Sequence, residues 1–294
     1  MTSRLARRML TTVLTAGLLA AAMSPAHAQF ITYDDFSSGI IDPGKWLGLS
    51  VEGPIAGPTG TALRAVENGS LRLALTSWGG DSSNSGFVST RERLSIKQVG
   101  TLGGSGFITG MRARITVQNV DVQDCPTNSD SGNSTFNSLR ARAEILGWFF
   151  NDGSGSANDR TGNVLAIIKL HRGAEGNRIS ADVTRCLDAA CATTTPAVPG
   201  VTLSTQWNLN TPLVLQLVWN QGAGKFTFTA TNPATLVTES RDVVYQGTVT
   251  NAGPPTVGGF NALNVGNSVK NCDGARKRVL LDALFDDVQL QRQP

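Results

Sequence analysis

The side chains best suited to bind a ligand lie on two segments near the middle of the chain, SLRARAEILGWFF (138–150) and NVLAIIKLHR (163–172). Successive side chains of a β-strand point to opposite faces, so alternate residues of each segment share one face. That face carries Arg140, Arg142, Glu144 and Trp148 on the first segment, and Lys169 and His171 on the second. Guanidinium groups bind carboxylates or sulfates through paired hydrogen bonds, and a tryptophan ring stacks on a sugar. The two segments therefore predict a binding site for an acidic or neutral glycan.

Two further segments alternate in the same way. GMRARITVQNV (110–120) places Arg112 and Arg114 on one face. RISADVTRC (178–186) places its polar residues on one face, namely Arg178, Ser180, Asp182 and Thr184. If the four segments are neighbours in one sheet, their polar faces join into one arginine-rich surface. The predicted ligand-binding residues are Arg112, Arg114, Arg140, Arg142, Trp148 and Lys169, and the candidate catalytic residues are Glu144 and His171.

An alternative is that these arginines and acids only pair with one another on a solvated face of the sheet. Antiparallel sheets commonly turn one face to water, and cross-strand ion pairs stabilise such a face. A lone histidine on a strand is also more often structural than catalytic. Both interpretations stay open from the sequence.

The four cysteines form an even set, which in an exported chain predicts two disulfides. Three pairings are possible. Cys186 and Cys191 are close enough in sequence to close one tight loop, which leaves Cys125 with Cys272. A zinc site is disfavoured, because no paired C-x-x-C spacing occurs and the residues after position 28 contain a single histidine.

Residues 1–28 have the three parts of a secretory signal: a start with three arginines, the apolar run MLTTVLTAGLLAAAM and a small-residue exit. Cleavage after Ala28 predicts a secreted or periplasmic protein. Removal of this segment reduces the 25 basic residues to 22, equal to the 22 acidic ones. A formally neutral chain gives no general attraction to nucleic acid. No later apolar run is long enough to span a membrane.

The rest of the chain alternates short runs of two-residue period with clusters of Gly, Ser, Asn, Asp and Pro, including most of its 32 glycines. This pattern predicts about a dozen β-strands in one all-β domain over residues 29–294, built as two packed antiparallel sheets. The predicted strands are ITYDDF, ALRAV, SLRLALTSW, GFVSTRERLSI, GMRARITVQNV, SLRARAEILGWFF, NVLAIIKLHR, RISADVTRC, PLVLQLVWN, KFTFTAT, DVVYQGTV and RVLLDALFDDVQLQ. The polar stretches 126–138 and 151–163 are predicted to be loops.

Three pieces near the two ends of this domain, DDFSSGIIDPGKW, ENGSLRLAL and FDDVQLQ, resemble the concanavalin A-like lectin and glucanase superfamily. The resemblance implies a jelly-roll sandwich whose last strand pairs with the first. It also implies a structural calcium ion, with Asp286 as the carboxylate ligand, Gly69 as a carbonyl ligand and further oxygens from the backbone near Phe30. The alternative is that Asp34, Asp286 and their neighbours are solvated residues at strand ends.

The sequence departs from the catalytic pattern of the family 16 glucanases, because no E-x-D-x-E run supplies their two carboxylates. A serine hydrolase is also disfavoured, because no G-x-S-x-G occurs. RARAE and KLH resemble two strands of alginate lyase-like members, but Lys169 replaces the expected glutamine and the tyrosine-rich motif is absent. We therefore predict a monomeric glycan-binding protein. The alternatives are a glycoside hydrolase or polysaccharide lyase with a degenerate motif, and a structural or protein-interaction module.

Overall fold

The structure is a computed structural model, and it describes ten stretches of the chain. They are residues 29–47, 53–57, 59–81, 86–97, 108–124, 140–155, 159–173, 176–247, 261–274 and 276–292. The predicted signal segment 1–28, the predicted loop 126–138 and Cys125 lie outside the described residues. In the described part of the chain, no helix has the length and hydropathy needed to cross a membrane.

The described residues form two antiparallel sheets, with strands numbered in chain order. Sheet A has the spatial order β14 (Thr238–Val244), β13 (Lys225–Thr231), β12 (Leu213–Asn220), β7 (Ile108–Val122), β16 (Arg278–Arg292), β5 (Ser70–Trp78), β4 (Gly60–Glu67) and β3 (Gly53–Gly57), and β1 (Ile31–Asp34) also pairs with β16. Sheet B has the order β11 (Thr194–Leu203), β10 (Gly176–Cys186), β9 (Asn163–Gly173), β8 (Ala141–Asn151), β15 (Asn261–Lys270), β6 (Phe87–Ile96) and β2 (Trp46–Leu47).

This architecture confirms the predicted two-sheet antiparallel jelly-roll sandwich. The last strand pairs with the first, as the resemblance implies, since Ile31 lies opposite Leu290. Strand β7 lies in sheet A and the following strand β8 in sheet B, so the chain crosses between the sheets several times. Such crossings place residues that are distant in sequence on neighbouring strands.

The core lies between the sheets and is filled by the inward half of each alternating strand. SLRLALTSW in β5 shows this alternation directly, because its three leucines are buried and the residues on either side of each are half-buried. Aromatic rings fill one end, where Phe150 stacks on Trp219 with ring centroids 4.3 Å apart. One ion pair is also inside: Arg64 Nε donates to Glu92 Oε1 over 2.6 Å, and both residues are 7 % exposed. A buried charged side chain needs an oppositely charged partner to offset the loss of its hydration, and Arg64 and Glu92 provide this for each other.

Twelve strands were predicted, and each has a counterpart, although DVVYQGTV (242–249) is displaced relative to β14 (Thr238–Val244). Strands β2, β3, β11 and β15 were not predicted. The disulfide Cys186–Cys191 is confirmed, with Cα atoms 4.8 Å apart. Cys272 is also disulfide-bonded, and its predicted partner Cys125 lies outside the described residues.

Candidate functional site

The outer face of sheet B carries most of the polar residues that the sequence singles out. Ala143, Ile145, Ile168 and Leu170 pack in the core, so the residues that alternate with them on β8 and β9 point away from it. Cross-strand pairing then defines two rows of outward side chains. The first row is Arg93, Asn264, Glu144, Lys169 and Ser180, and the second is Arg91, Gly266, Arg142, His171 and Arg178. We call these two rows the arginine face.

One part of the predicted surface is wrong. Arg112 and Arg114 lie on β7 in sheet A, so they are separated from the arginine face by the whole core. Arg112 Nη2 donates to Gln289 Oε1 over 2.6 Å, and Arg114 Nη2 donates to Asp287 Oδ2 over 3.1 Å. The prediction that these two arginines share one face of their strand is correct. The prediction that this strand lies in the same sheet as β8, β9 and β10 is not.

The floor of the arginine face is buried. Glu144, Lys169 and His171 are each 4 % exposed, and Asn264 is 1 % exposed. Asn264 Nδ2 donates to Glu144 Oε1 over 2.5 Å, and Lys169 is ion-paired with Asp182 on β10. A buried carboxylate with these partners is fixed in place, so the floor provides a rigid support for the groups above it.

Arginines form the accessible layer above this floor. Arg142 Nε lies 3.4 Å from Glu144 Oε2, and 20 % of the Arg142 side chain stays exposed. Arg93 and Arg178 are half-buried and Arg91 is exposed. Burial, with a contribution from the nearby charge of Arg91, lowers the pKa of Arg93 to about 10 against the opposing effect of Glu144. Arg93 is therefore a cation in a partly desolvated position, where an anion would interact with it more strongly than in water.

The arginine face carries an excess of positive charge. Its two rows and the neighbouring Asp182 contain four arginines and one lysine against two carboxylates. Glu144 is already paired with Asn264 and Arg142, and Asp182 is already paired with Lys169. Cationic side chains therefore outnumber carboxylates among the described residues of these two rows.

Gly266 gives Arg142 its position. A Cβ atom at residue 266 would lie 2.9 Å from both Cζ and Nη2 of Arg142, which is closer than such contacts occur. The guanidinium group therefore lies directly over the strand backbone at Gly266. Arg142 Nη1 also lies 3.5 Å from the Oγ atom of Ser268, which is on β15 together with Gly266.

Two other predicted ligand-binding residues are placed differently. Trp148 points outward next to a bulge at Phe150, but it is only 8 % exposed, so its ring does not present an open stacking surface. Arg140 is 8 % exposed and ion-paired with Asp124, and burial lowers its pKa. These two residues contribute less to an accessible surface than the sequence predicts.

Among the described residues, the arginine face does not bring together the groups that retaining glycosidases and alginate lyase-like enzymes use. Glu144 and the neighbouring Asp182 lie on strands about 10 Å apart at the usual strand spacing, whereas the carboxyl groups of a retaining pair are about 5 Å apart. The two tyrosines, Tyr33 and Tyr245, both lie in the core. Burial raises the pKa of Tyr245 to about 12, and its hydroxyl donates to Asp152 over 3.3 Å. Neither tyrosine serves the arginine face.

The predicted calcium site lies at another place, near the pairing of β1 with β16. Asp34 is buried and accepts hydrogen bonds from the Trp46 indole over 2.6 Å and from the Phe36 backbone over 3.1 Å, so it has a structural role. Asp286 accepts from the backbone of Asp287 over 2.7 Å, and burial raises its pKa. Of the residues described, no three acidic, histidine or cysteine side chains come together as metal ligands. A site built on one carboxylate and carbonyls, as the resemblance implies for Asp286 and Gly69, stays a prediction.

Sequence reasoning missed Arg91, Arg93, Asn264 and Gly266. The two arginines alternate within the predicted strand GFVSTRERLSI, so the signal was present. Glu92 between them concealed it, because three consecutive charged residues show no alternation, and only the structure shows Glu92 turned inward to Arg64. The other two residues lie on β15, which was not predicted as a strand.

No protein-family model and no curated protein sequence matches the chain. Solved structures with a similar fold include the winged bean acidic lectin complexed with methyl-α-D-galactose, with 8 % identity and a TM-score of 0.39 over 91 % of this chain and 100 % of that one. Peanut lectin shows 9 % identity and a TM-score of 0.36 over 90 % and 100 %. The GH16 protein of the Bacteroides ovatus mixed linkage glucan PUL, in complex with a G4G4G3G product, shows 11 % identity and a TM-score of 0.41 over 86 % of this chain and 98 % of that one. These likenesses concern the fold alone.

Proposed function

We propose that this is an exported protein that binds an acidic glycan on the arginine face of sheet B. The observation that supports the proposal is that Arg91, Arg93, Arg142 and Arg178 point outward from β6, β8 and β10, above a buried floor that contains Glu144 and Lys169. The arginines come from three different strands of the sequence, and the register of the sheet brings them into one surface.

The chemistry of this surface favours carboxylated or sulfated sugars over neutral ones. A guanidinium group presents planar pairs of donors that match the oxygens of a carboxylate or sulfate. Hydrogen bonds to charged groups contribute about 1.5–3 kcal/mol each, more than neutral ones. Glu144 holds Arg142 in place before a ligand arrives, which reduces the conformational entropy lost on binding.

An enzyme that acts on the same ligand is the second candidate. The observation that favours it is that Glu144 and His171 share the buried floor, one row apart on adjacent strands. Release of products from alginate, pectin or β-glucan, lost in Glu144→Gln or His171→Ala, would establish that activity. Binding without product release supports the leading proposal.

The direct test is calorimetric titration of the purified protein with uronic acid oligosaccharides and with sulfated and neutral oligosaccharides. We expect an acidic ligand to bind, with a dissociation constant that Arg142→Ala raises between about 10- and 100-fold. Rising salt should weaken binding, because part of the attraction is electrostatic.

Arg172→Ala is the matched control. Arg172 is an exposed arginine that follows His171 on β9 and donates to Asn177, outside the two rows of the arginine face. The Arg172→Ala substitution removes the same charge as Arg142→Ala and should change the dissociation constant for the acidic ligand by less than about twofold. Failure of every acidic oligosaccharide to bind, with the fold intact, would remove the proposal and favour a structural or protein-interaction role.

A further inference from the structure

The outer face of sheet A carries a second ordered array of polar side chains, separated from the arginine face by the core. One lateral row crosses five adjacent strands, β16, β7, β12, β13 and β14, in register. Its members are Gln289, Arg112, Gln216, Thr229 and Ser240. Five strands at the usual spacing span about 19 Å, so the row is long enough to follow an extended ligand. We call it the polar row.

A depression of about 200 Å³ lies along this row. Its polar lining consists of Arg112, Arg114, Gln216, Thr229, Thr231 and Asp287, and Val214 is its one apolar contributor. Six of the seven lining residues carry a polar group, and these donors and acceptors suit a ligand covered with hydroxyl groups.

The side chains at the ends of the row are held by internal hydrogen bonds, and its centre is not. Arg112 Nη2 donates to Gln289 Oε1 over 2.6 Å, and the hydroxyls of Thr229 and Ser240 lie 2.8 Å apart. Gln216 is half-buried between them, and no hydrogen bond joins its amide to another described residue. The donors and the carbonyl of the Gln216 amide are therefore available to a ligand.

The charges next to the depression are balanced. Arg114 lies 3.1 Å from an oxygen of Asp287 and 3.7 Å from one of Asp286. Together with Arg112, this group of two arginines and two aspartates carries no net formal charge. An anionic ligand would meet these carboxylates and would gain little from the arginines that they neutralise.

From this combination we infer that the polar row is a second binding site, which takes an extended neutral oligosaccharide. Gln216 provides the central contact, because its amide both donates to and accepts from sugar hydroxyls. Arg112 and Arg114 are held in position by their own partners and add fixed donors. The protein thus has two faces of different charge, one for acidic and one for neutral sugars.

The test is calorimetric titration of the full protein with neutral β-1,4-linked hexasaccharides of glucose, xylose and mannose. We expect at least one of them to bind, and Gln216→Ala to weaken that binding by about tenfold, since two hydrogen bonds are lost. The matched control is Gln118→Ala. Gln118 is an exposed glutamine on β7 outside the depression, and its removal should leave the affinity unchanged.

Arg142→Ala separates the two sites. It should leave neutral-sugar binding unchanged, while Gln216→Ala should leave acidic-sugar binding unchanged. The inference is overturned if none of the three hexasaccharides binds, or if Gln216→Ala binds them as well as the unmodified protein. It is also overturned if Arg142→Ala abolishes neutral-sugar binding. None of these results depends on whether acidic glycans bind the arginine face.

Discussion

Replacement of Gly266 by alanine tests the arginine face without removing any charged group. Gly266 lies between Arg91 and Arg142 in the second row of the face. A methyl group there would come within 2.9 Å of the Arg142 guanidinium, which is the flexible end of a long side chain. The side chain can move aside, so Gly266→Ala should displace Arg142 and leave the strand intact.

The expected magnitudes follow from this geometry. Alanine stabilises a strand by about 0.5–1 kcal/mol relative to glycine, because the unfolded chain loses less conformational entropy, and this offsets the cost of moving Arg142. The free energy of unfolding should therefore change by less than about 1 kcal/mol in urea denaturation. The dissociation constant for an acidic oligosaccharide should rise by about tenfold, because charge-assisted hydrogen bonds contribute about 1.5–3 kcal/mol and 1.4 kcal/mol corresponds to a factor of ten.

A double-mutant cycle with Arg142→Ala provides the control. Calorimetry on the two single variants and the double variant measures whether the effects add. If Gly266 acts through Arg142, Gly266→Ala has no further effect once Arg142 is alanine. Additive losses in the double variant, or full affinity in Gly266→Ala alone, would refute the proposed placement of Arg142 over Gly266 as a determinant of binding.

Three further predictions concern stability and are checked by denaturation. Cys186→Ser should lower the free energy of unfolding by about 2 kcal/mol, since the disulfide to Cys191 closes a short loop, and an unchanged urea midpoint would contradict this. Burial opposes ionisation of Glu239, but hydrogen bonds from Ser204 and Thr205 outweigh it and lower its pKa from 4.5 to about 2. Its stabilisation is therefore present above pH 4.5 and lost as the pH falls through about 2, so Glu239→Gln should flatten the pH dependence of stability in that range, and equal slopes would refute it. If calcium binds at Asp286, a chelator should lower the melting temperature and Asp286→Asn should remove that difference; a melting temperature that the chelator does not move would dispose of the site.

Strands could be predicted from the sequence wherever one face of the strand is buried and the other is accessible to solvent. SLRLALTSW in β5 alternates in sequence as it does in burial, and it was predicted correctly. NALNVGNSVK in β15 was missed because nine of its ten residues are buried on one face or the other, so it has no alternation. Its asparagines are also residues that disfavour strands. Asn267 is nevertheless buried, where its amide donates to the carbonyls of Leu75 and Val279 over 2.9 and 3.0 Å.

The site was predictable only as far as local geometry determines it. The two-residue period placed Arg142, Glu144, Lys169 and His171 on one face, because that depends only on neighbours in sequence. Which strands lie side by side depends on contacts between distant segments, and the sequence does not encode these locally. The strand of Arg112 was therefore assigned to the wrong sheet.

A crystal structure of the protein with a bound uronic acid oligosaccharide would test the acidic-glycan proposal at its binding site. We expect a sugar carboxylate within hydrogen-bonding distance of the Arg142 guanidinium, with Arg93 or Arg178 contacting the same ligand. An oligosaccharide bound elsewhere, with no contact to the arginine face, would contradict the proposal.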